Sequence, residues 1–317
     1  MVKHPNKEFR KLVVKIRNLK GRKLYPTREM RKINWKEYNF SKVNEFKSEL
    51  DFIRESVNEI DFVDEDKFGR PSTNLRYLAK AVLVCELFKC PERQAQGLLE
   101  IIGLYLGIHD ILDDRKIGRA YDNPKVAMVL QKIFEKYKNS DGILSGDGTG
   151  LERSRKENYE STKKKKAGQY MTSIVDSREI VQAFDISGTQ ECQIMFSLIE
   201  KVRGKILTLD AGFNCRDLVK AISRRGMEPI IFPKKSNNLN GDVYWQKMYH
   251  EFYCDIVGWL VKYHQRSHTE SFHSSFKRAF GILTKLKLSA KFVQVCARII
   301  LHNHKRLSYF QLVGEDF

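Results

Sequence analysis

Long apolar runs are missing from this chain, and so are paired cysteines, internal repeats and low-complexity tracts. No unbroken hydrophobic stretch approaches twenty residues and mean hydropathy is -0.47, so no membrane-spanning helix is expected. Residues 1–11 carry charge without a following apolar segment of the signal-peptide kind, which makes the cytoplasm the expected location. The six cysteines, Cys85, Cys90, Cys192, Cys215, Cys254 and Cys296, include no C-x2-C pair. That scatter suits reduced core thiols better than a zinc site or a disulfide framework. No Gly-Lys-Ser/Thr follows the glycines around position 148, so an ATP loop lacks support and no nucleotide cofactor is expected.

Positive charge is what the chain has in excess. Against 39 Asp and Glu stand 57 Lys and Arg, a net charge of +18 over 317 residues, which attracts polyanions and makes nucleic acid the leading candidate. Residues 1–32 alone hold twelve Lys or Arg and two Glu. Such an arm fits either a grip on phosphates or a solvated tail, and in neither case does it carry chemistry.

The length suits one main domain plus an accessory unit, with a boundary expected near residue 138. Leu75, Leu78, Ala79, Val82 and Leu83 repeat at helical spacing through Phe88, and Pro91 opens a second helical run over 92–102. Adjoining helices of this kind serve either a helix-turn-helix or a structural hairpin. Asn123 is a credible N-cap before Pro124, and Val126, Val129, Leu130, Ile133, Phe134 and Tyr137 then form one apolar stripe. Residues 1–138 therefore read as mostly helical.

From 139 onward β-type and α-type segments alternate. A strand over 143–145 leads to a glycine-flanked Asp147, and a lysine-rich loop at 163–166 precedes strands over 169–175 and 179–186. A helix over 189–202, a strand over 205–209 ending at Asp210, a helix over 216–224, a strand over 229–232 and long helices from about 244 complete the series. The order β-β-β-α-β-α-β-α is that of an α/β, RNase H-like mixed-sheet core.

Asp147 and Asp210 each follow an apolar strand beside glycines. Strand ends are where sites are built, although Asp-Gly alone is an ordinary turn. Glu270 stands in a polar series, Tyr263, Arg266, Glu270 and Lys277, spelling Y-x2-R-x3-E-x6-K. On an α-helix those offsets rotate by about 300°, 700° and 1400°, which puts the four side chains within about 60° of one another. Such a face is polar where a core stripe would be apolar, leaving a binding face or a solvated surface as its readings.

These blocks carry a resemblance. The chain resembles the insertion-sequence DDE transposases, specifically the group defined by the YREK signature. Tyr263, Arg266, Glu270 and Lys277 match it without departure, Asp210-Ala211-Gly212-Phe213 matches the second hallmark, and Ser145-Gly146-Asp147-Gly148-Thr149-Gly150 contains the first Asp. Four specified residues would match by chance in only about one chain in several hundred of this length. The acids are too close in sequence for a large insertion, so 234–242 is expected as a compact exposed loop.

The resemblance implies a DNA-binding region over 1–138 and an RNase H-like catalytic domain over 139–317, cleaving and rejoining DNA at the terminal inverted repeats of an insertion sequence. Asp147, Asp210 and Glu270 would hold two Mg²⁺ or Mn²⁺ ions, with Asp147 bridging them. Tyr263, Arg266 and Lys277 would hold the transposon end through its phosphates. The implied partners are double-stranded DNA, both transposon ends and target, and a second copy of the chain pairing the ends, in a nucleoid-associated cytoplasmic setting. The rivals are a non-catalytic DNA-binding regulator or inactivated transposase, and an RNase H-like host nuclease, which need not carry the Tyr263, Arg266 and Lys277 face. A glycosidase with paired carboxylates would leave the net charge and the tetrad without purpose.

Two smaller groups complete the reading. His264, His268 and His273 have spacing tolerable for zinc, but carboxylates select harder cations, and these histidines are expected to line DNA or face solvent. Trp245 and Trp259 read either as stacking partners for an extruded base or as core.

Overall fold

A computed structural model describes residues 5–18, 33–61, 73–152, 169–187 and 191–314. The lysine run at 163–166 and the flanks of the basic arm, 1–4 and 19–32, lie outside the described residues. The chain forms two compact units, each assembled from several segments. One comprises Met1–Lys32, Ser140–Thr149 and Tyr170–Ser274, the other Ile33–Asn139, Gly150–Gln169 and Ser275–Phe317.

In chain order the described helices are α1 (Pro5–Asn18), α2 (Trp35–Val43), α3 (Glu45–Asn58), α4 (Leu75–Phe88), α5 (Glu92–Ile102), α6 (Asp114–Ala120), α7 (Pro124–Tyr137), α8 (Glu191–Ile199), α9 (Arg216–Arg224), α10 (Val243–Cys254), α11 (Ile256–Tyr263), α12 (Ser267–Phe280) and α13 (Leu288–Val313). The strands are β1 (Ile143–Leu151), β2 (Gln169–Asp176), β3 (Val181–Ser187), β4 (Ile206–Leu209) and β5 (Glu228–Ile231), in the order β3-β2-β1-β4-β5. β3 pairs antiparallel with β2, whereas β1, β4 and β5 run parallel. The short parallel strands β4 and β5 are almost continuously apolar, as strands covered on both faces must be. Their Leu207, Leu209, Ile230 and Ile231 share one core with Met195 and Leu198 of α8, Leu218 and Ile222 of α9, and Tyr249 and Phe252 of α10.

The first difference from the sequence reading lies in the basic arm. Residues 5–18 are neither a free arm nor a solvated tail; they form α1. Phe9, Val13 and Ile16, spaced i, i+4 and i+7, are buried in the core just described. The Phe9 ring lies 5.2 Å from that of Tyr249 and 5.8 Å from that of Phe252. Burying each such side chain contributes roughly 1.5–3 kcal/mol, enough to hold a helix that lysines keep soluble on its other face. Arg17 adds a hydrogen bond from its guanidinium to the Pro233 carbonyl at 2.9 Å.

The second unit is built largely of helices around α4, which is buried from Leu78 through Glu86. The stripe expected on α7 is buried at Val126, Val129, Leu130, Ile133 and Phe134, and the Asn123 side chain accepts from the Lys125 N–H at 2.9 Å as an N-cap. Lys80 of α4 is 1% exposed and its ammonium donates to the Leu106 carbonyl at 2.6 Å. Burial, followed by repulsion from Arg76 and Arg54, pulls its pKa from 10.5 to about 8. Between those two values the unfolded chain holds a proton that the folded one has released, so folding stability is expected to rise with pH across that window. Lys80→Met should abolish the Lys80 share of this rise in urea midpoints measured at pH 8 and pH 10. An unchanged slope would show that the ammonium is not desolvated.

Candidate active site

The parallel register of β1 and β4 brings two acids together. Gly146 pairs with Leu209, and one residue further along each chain come Asp147 and Asp210, side by side where the pairing of the two strands, roughly 4.8 Å apart, ends. β1 runs on to Leu151, well past the expected end at 145, so Asp147 is held within a strand rather than at a turn. Gly146 leaves room there for neighbouring side chains: a Cβ would lie 2.8 Å from Leu209 Cδ2 and 3.0 Å from Met195 Cε, and those two ends would have to shift. Asp210 caps the single turn Ala211–Phe213, accepting from the Gly212 N–H at 3.4 Å. Asp147 accepts from the Gly148 N–H at 2.9 Å. Burial raises the Asp147 pKa to about 6; the Gly148 N–H and Arg266 oppose the rise, and the charges of Asp210 and Glu191 add to it.

The third acid arrives from the other end of the unit's sequence. Tyr263 ends α11, a 3₁₀ turn spans His264–Arg266, and α12 then carries Glu270 in its first turn. The tetrad therefore does not ride one α-helix as expected. A 3₁₀ turn advances about 120° per residue rather than 100°, so Arg266 eclipses Tyr263 and the four side chains stay within about 40° of one another. Arg266 and Glu270 meet, Nη2 to Oε1 at 2.8 Å, and Arg266 Nη1 lies 3.7 Å from Asp147 Oδ2. The Tyr263 hydroxyl donates to Asp210 Oδ1 at 3.4 Å. Burial works against the charge of Arg266, but Tyr263, Glu270, Asp210 and Asp147 outweigh it and raise its pKa. Asp147, Asp210 and Glu270 are thus gathered around one tyrosine and one guanidinium. Lys277 is exposed, about two turns beyond Glu270 on α12.

Aromatic packing anchors this turn. The Tyr263 ring stacks on Trp259 at 5.4 Å and 15°, and lies 5.3 Å from Phe232. Trp259 and Trp245 are each 3% exposed, and Trp245 Nε1 donates to the Asn238 carbonyl at 2.9 Å. Both tryptophans therefore belong to the core, and neither presents a face to an extruded base. His273 also differs from expectation, being buried against Ser173 rather than facing solvent or DNA. His268 pairs with Gln265 at 3.0 Å, and His264 is exposed. Residues 234–242 form a loop, exposed at Lys234, Lys235 and Ser236.

Glu191, at the start of α8, was not anticipated. A Cβ on Gly148 would lie 2.4 Å from its Cδ and Oε1, so its carboxylate rests against the backbone beside Asp147. The sequence signal is weak, because an acid in a first helical turn is ordinarily a partner of the helix dipole.

Among the described residues no three His, Cys, Asp or Glu side chains stand close enough to hold a metal ion in this arrangement. The donor chemistry nevertheless fits a hard divalent cation, since the acids offer only carboxylate oxygens. The positive charge they now surround is Arg266. A cavity of about 700 Å³ in the helical unit, lined by Glu86, Cys90, Tyr121, Lys285 and Arg298 among others, includes none of the three acids.

Residues 138–303, just over half of the chain, match the family model of the transposase DDE domain. The chain belongs to that family. The matched stretch contains Asp147, Asp210, Glu270 and the whole tetrad. Family membership brings transposase function, DNA as the partner, and a general use of divalent metals. No curated protein and no solved structure matches the chain. Among its described residues this transposase-family chain has no helix long and apolar enough to cross a membrane.

Proposed function

We propose that the chain is a DNA transposase of the YREK group, with an RNase H-like catalytic domain, that cleaves and rejoins DNA at the terminal inverted repeats of an insertion sequence. The observation that carries the reading is the gathering of Asp147, Asp210 and Glu270 around Tyr263 and Arg266. The strand order β3-β2-β1-β4-β5, with its antiparallel β2–β3 hairpin and parallel β1, β4 and β5, supports the RNase H-like assignment.

In this reading Asp147, Asp210 and Glu270 are the ligands of two Mg²⁺ or Mn²⁺ ions. Asp147 would be held between the other two acids, beside Asp210 along the sheet and joined to Glu270 through Arg266. When bound, the pair of cations would activate a water or 3′-hydroxyl and stabilise the departing oxygen of the phosphodiester. Arg266 can exchange the Glu270 carboxylate for DNA phosphate oxygens, which suit its planar fork equally well, and the exchange frees Glu270 for its ligand role. Tyr263 gives its one O–H donor to Asp210 and can turn it to a phosphate of the transposon end by exchanging that partner, while exposed Lys277 contributes a point charge toward the phosphates. The +18 charge steers the chain onto duplex DNA, and residues 1–138 supply further phosphate contacts, with a homodimer holding paired ends in a nucleoid-associated state.

The test is a supercoiled plasmid carrying the coding sequence with its native flanks, incubated with purified protein and Mn²⁺. Nicks exposing a 3′-hydroxyl at the tips of flanking inverted repeats are expected. Tight binding to those flanks with no nick would instead favour a regulator or an inactivated copy.

A further inference from the structure

α12 is fixed to the sheet by two buried polar pairs. Thr269, fully buried, donates its hydroxyl to Ser145 Oγ on β1 at 2.6 Å, and Ser145 is itself 1% exposed. One turn later His273, also buried, shares a hydrogen bond between Nε2 and Ser173 Oγ on β2 at 2.9 Å. Between them Phe272 is fully buried, its ring 5.4 Å from that of His273. Apolar side chains of similar volume would fill these places with no desolvation penalty, so the polar pairs are not needed to hold the helix down. What they add is direction, since a hydrogen bond fixes distance and angle whereas apolar contact tolerates sliding and rotation.

The placement of the first pair gives that direction a use. Thr269 is the immediate neighbour of Glu270, and Ser145 lies two residues before Asp147, on the same face of its strand. The second pair lies roughly 6 Å further along the helix axis, on the adjacent strand, so together the two pegs fix both the rise and the rotation of α12. We infer that Thr269 and Ser145, backed by His273 and Ser173, are positioning residues that set Glu270 against Asp147. The inference rests on the proposed roles of those two acids. A 1 Å displacement of a reacting group can cost about 100-fold in rate, so loss of the hydroxyl pair is expected to slow cleavage by about 10- to 100-fold.

Nicking of the flank-bearing plasmid in Mn²⁺ is to be followed for Thr269→Val, Ser145→Ala, the double variant Thr269→Val/Ser145→Ala, Thr269→Ser and Glu270→Gln, together with melting temperatures. Each single variant should lower the maximal rate and leave the DNA concentration at half-saturation unchanged. The double variant leaves no orphaned hydroxyl, so its melting temperature should recover towards wild type while its rate stays low. Thr269→Ser, which keeps the hydroxyl, should restore the rate. Wild-type nicking by the double variant, or failure of Thr269→Ser to restore the rate, would overturn the positioning role. Wild-type nicking by Glu270→Gln would instead remove the assignment of Glu270 on which it rests.

Discussion

Asp147→Asn and Glu270→Gln are each expected to lower Mn²⁺-dependent nicking by about 1000-fold or more, because a lost cation interaction worth about 4 kcal/mol in the transition state converts to that factor. Both substitutions keep the size of the side chain while removing the negative charge and turning one acceptor oxygen into an amide donor that cannot ligate a cation. Duplex affinity should stay within about threefold of wild type, since it rests on Lys and Arg contacts to phosphate. Gel assays of nicking beside fluorescence anisotropy of a labelled duplex separate the two quantities. Cutting at the normal rate by either variant would remove that acid from the proposed ligand set. Parallel loss of binding and cutting would show damage to the fold or to the DNA-binding face instead.

Glu86→Ala is expected to cost the chain about 3–5 kcal/mol of stability, the usual consequence of leaving a buried charge without its partner. Glu86 of α4 accepts from Arg298 Nε at 2.6 Å, from the Tyr121 hydroxyl at 2.7 Å and from Gln294 Nε2 at 3.0 Å. The ion pair is only 5% and 6% exposed. Arg298 also donates to the Gly281 and Ile282 carbonyls, so one carboxylate organises α4, α13 and the segment after α12 within the helical unit. Removing it leaves the buried guanidinium with the Gly281 and Ile282 carbonyls but without the Glu86 charge. Replacing both Glu86 and Arg298 by methionine should recover most of the loss, because the desolvation cost disappears with the pair. Urea unfolding followed by circular dichroism reads both variants. A Glu86→Ala midpoint equal to wild type would mean that water reaches Arg298.

Much of this architecture could be read before the coordinates. The limits of α4, α5, α7 and α9 follow from apolar spacing and from Asn123-Pro124 and Pro91, whose local chemistry tertiary packing does not override. The placement of Asp147 and Asp210 behind apolar strands was legible in the sequence, but an acid beside glycine reads by itself as an ordinary turn, and only the tetrad around Glu270 sets these two apart. The features that escaped had their signals masked. In α1 the lysines hid the i, i+4, i+7 series Phe9, Val13 and Ile16. α2 buries no residue and so has no apolar stripe to detect, and α6 is only seven residues long. The 3₁₀ turn at His264–Arg266 contains neither glycine nor proline, so nothing local announces a break in the helix. On α12, Thr269 and His273 are polar residues of ordinary surface type that are buried, one beside Glu270 and the other a turn further along, and nothing in their residue types signals it. Glu191 became visible only through the space that Gly148 leaves for it.

The central claim is that Asp147, Asp210 and Glu270 close on divalent cations. Anomalous scattering from crystals of the chain grown with duplex flank DNA and Mn²⁺ addresses it directly. Manganese peaks bridged by Asp147, with Asp210 and Glu270 on either side and Arg266 turned to a phosphate, are expected. Manganese bound elsewhere, with Arg266 still paired to Glu270 at saturating metal, would contradict it.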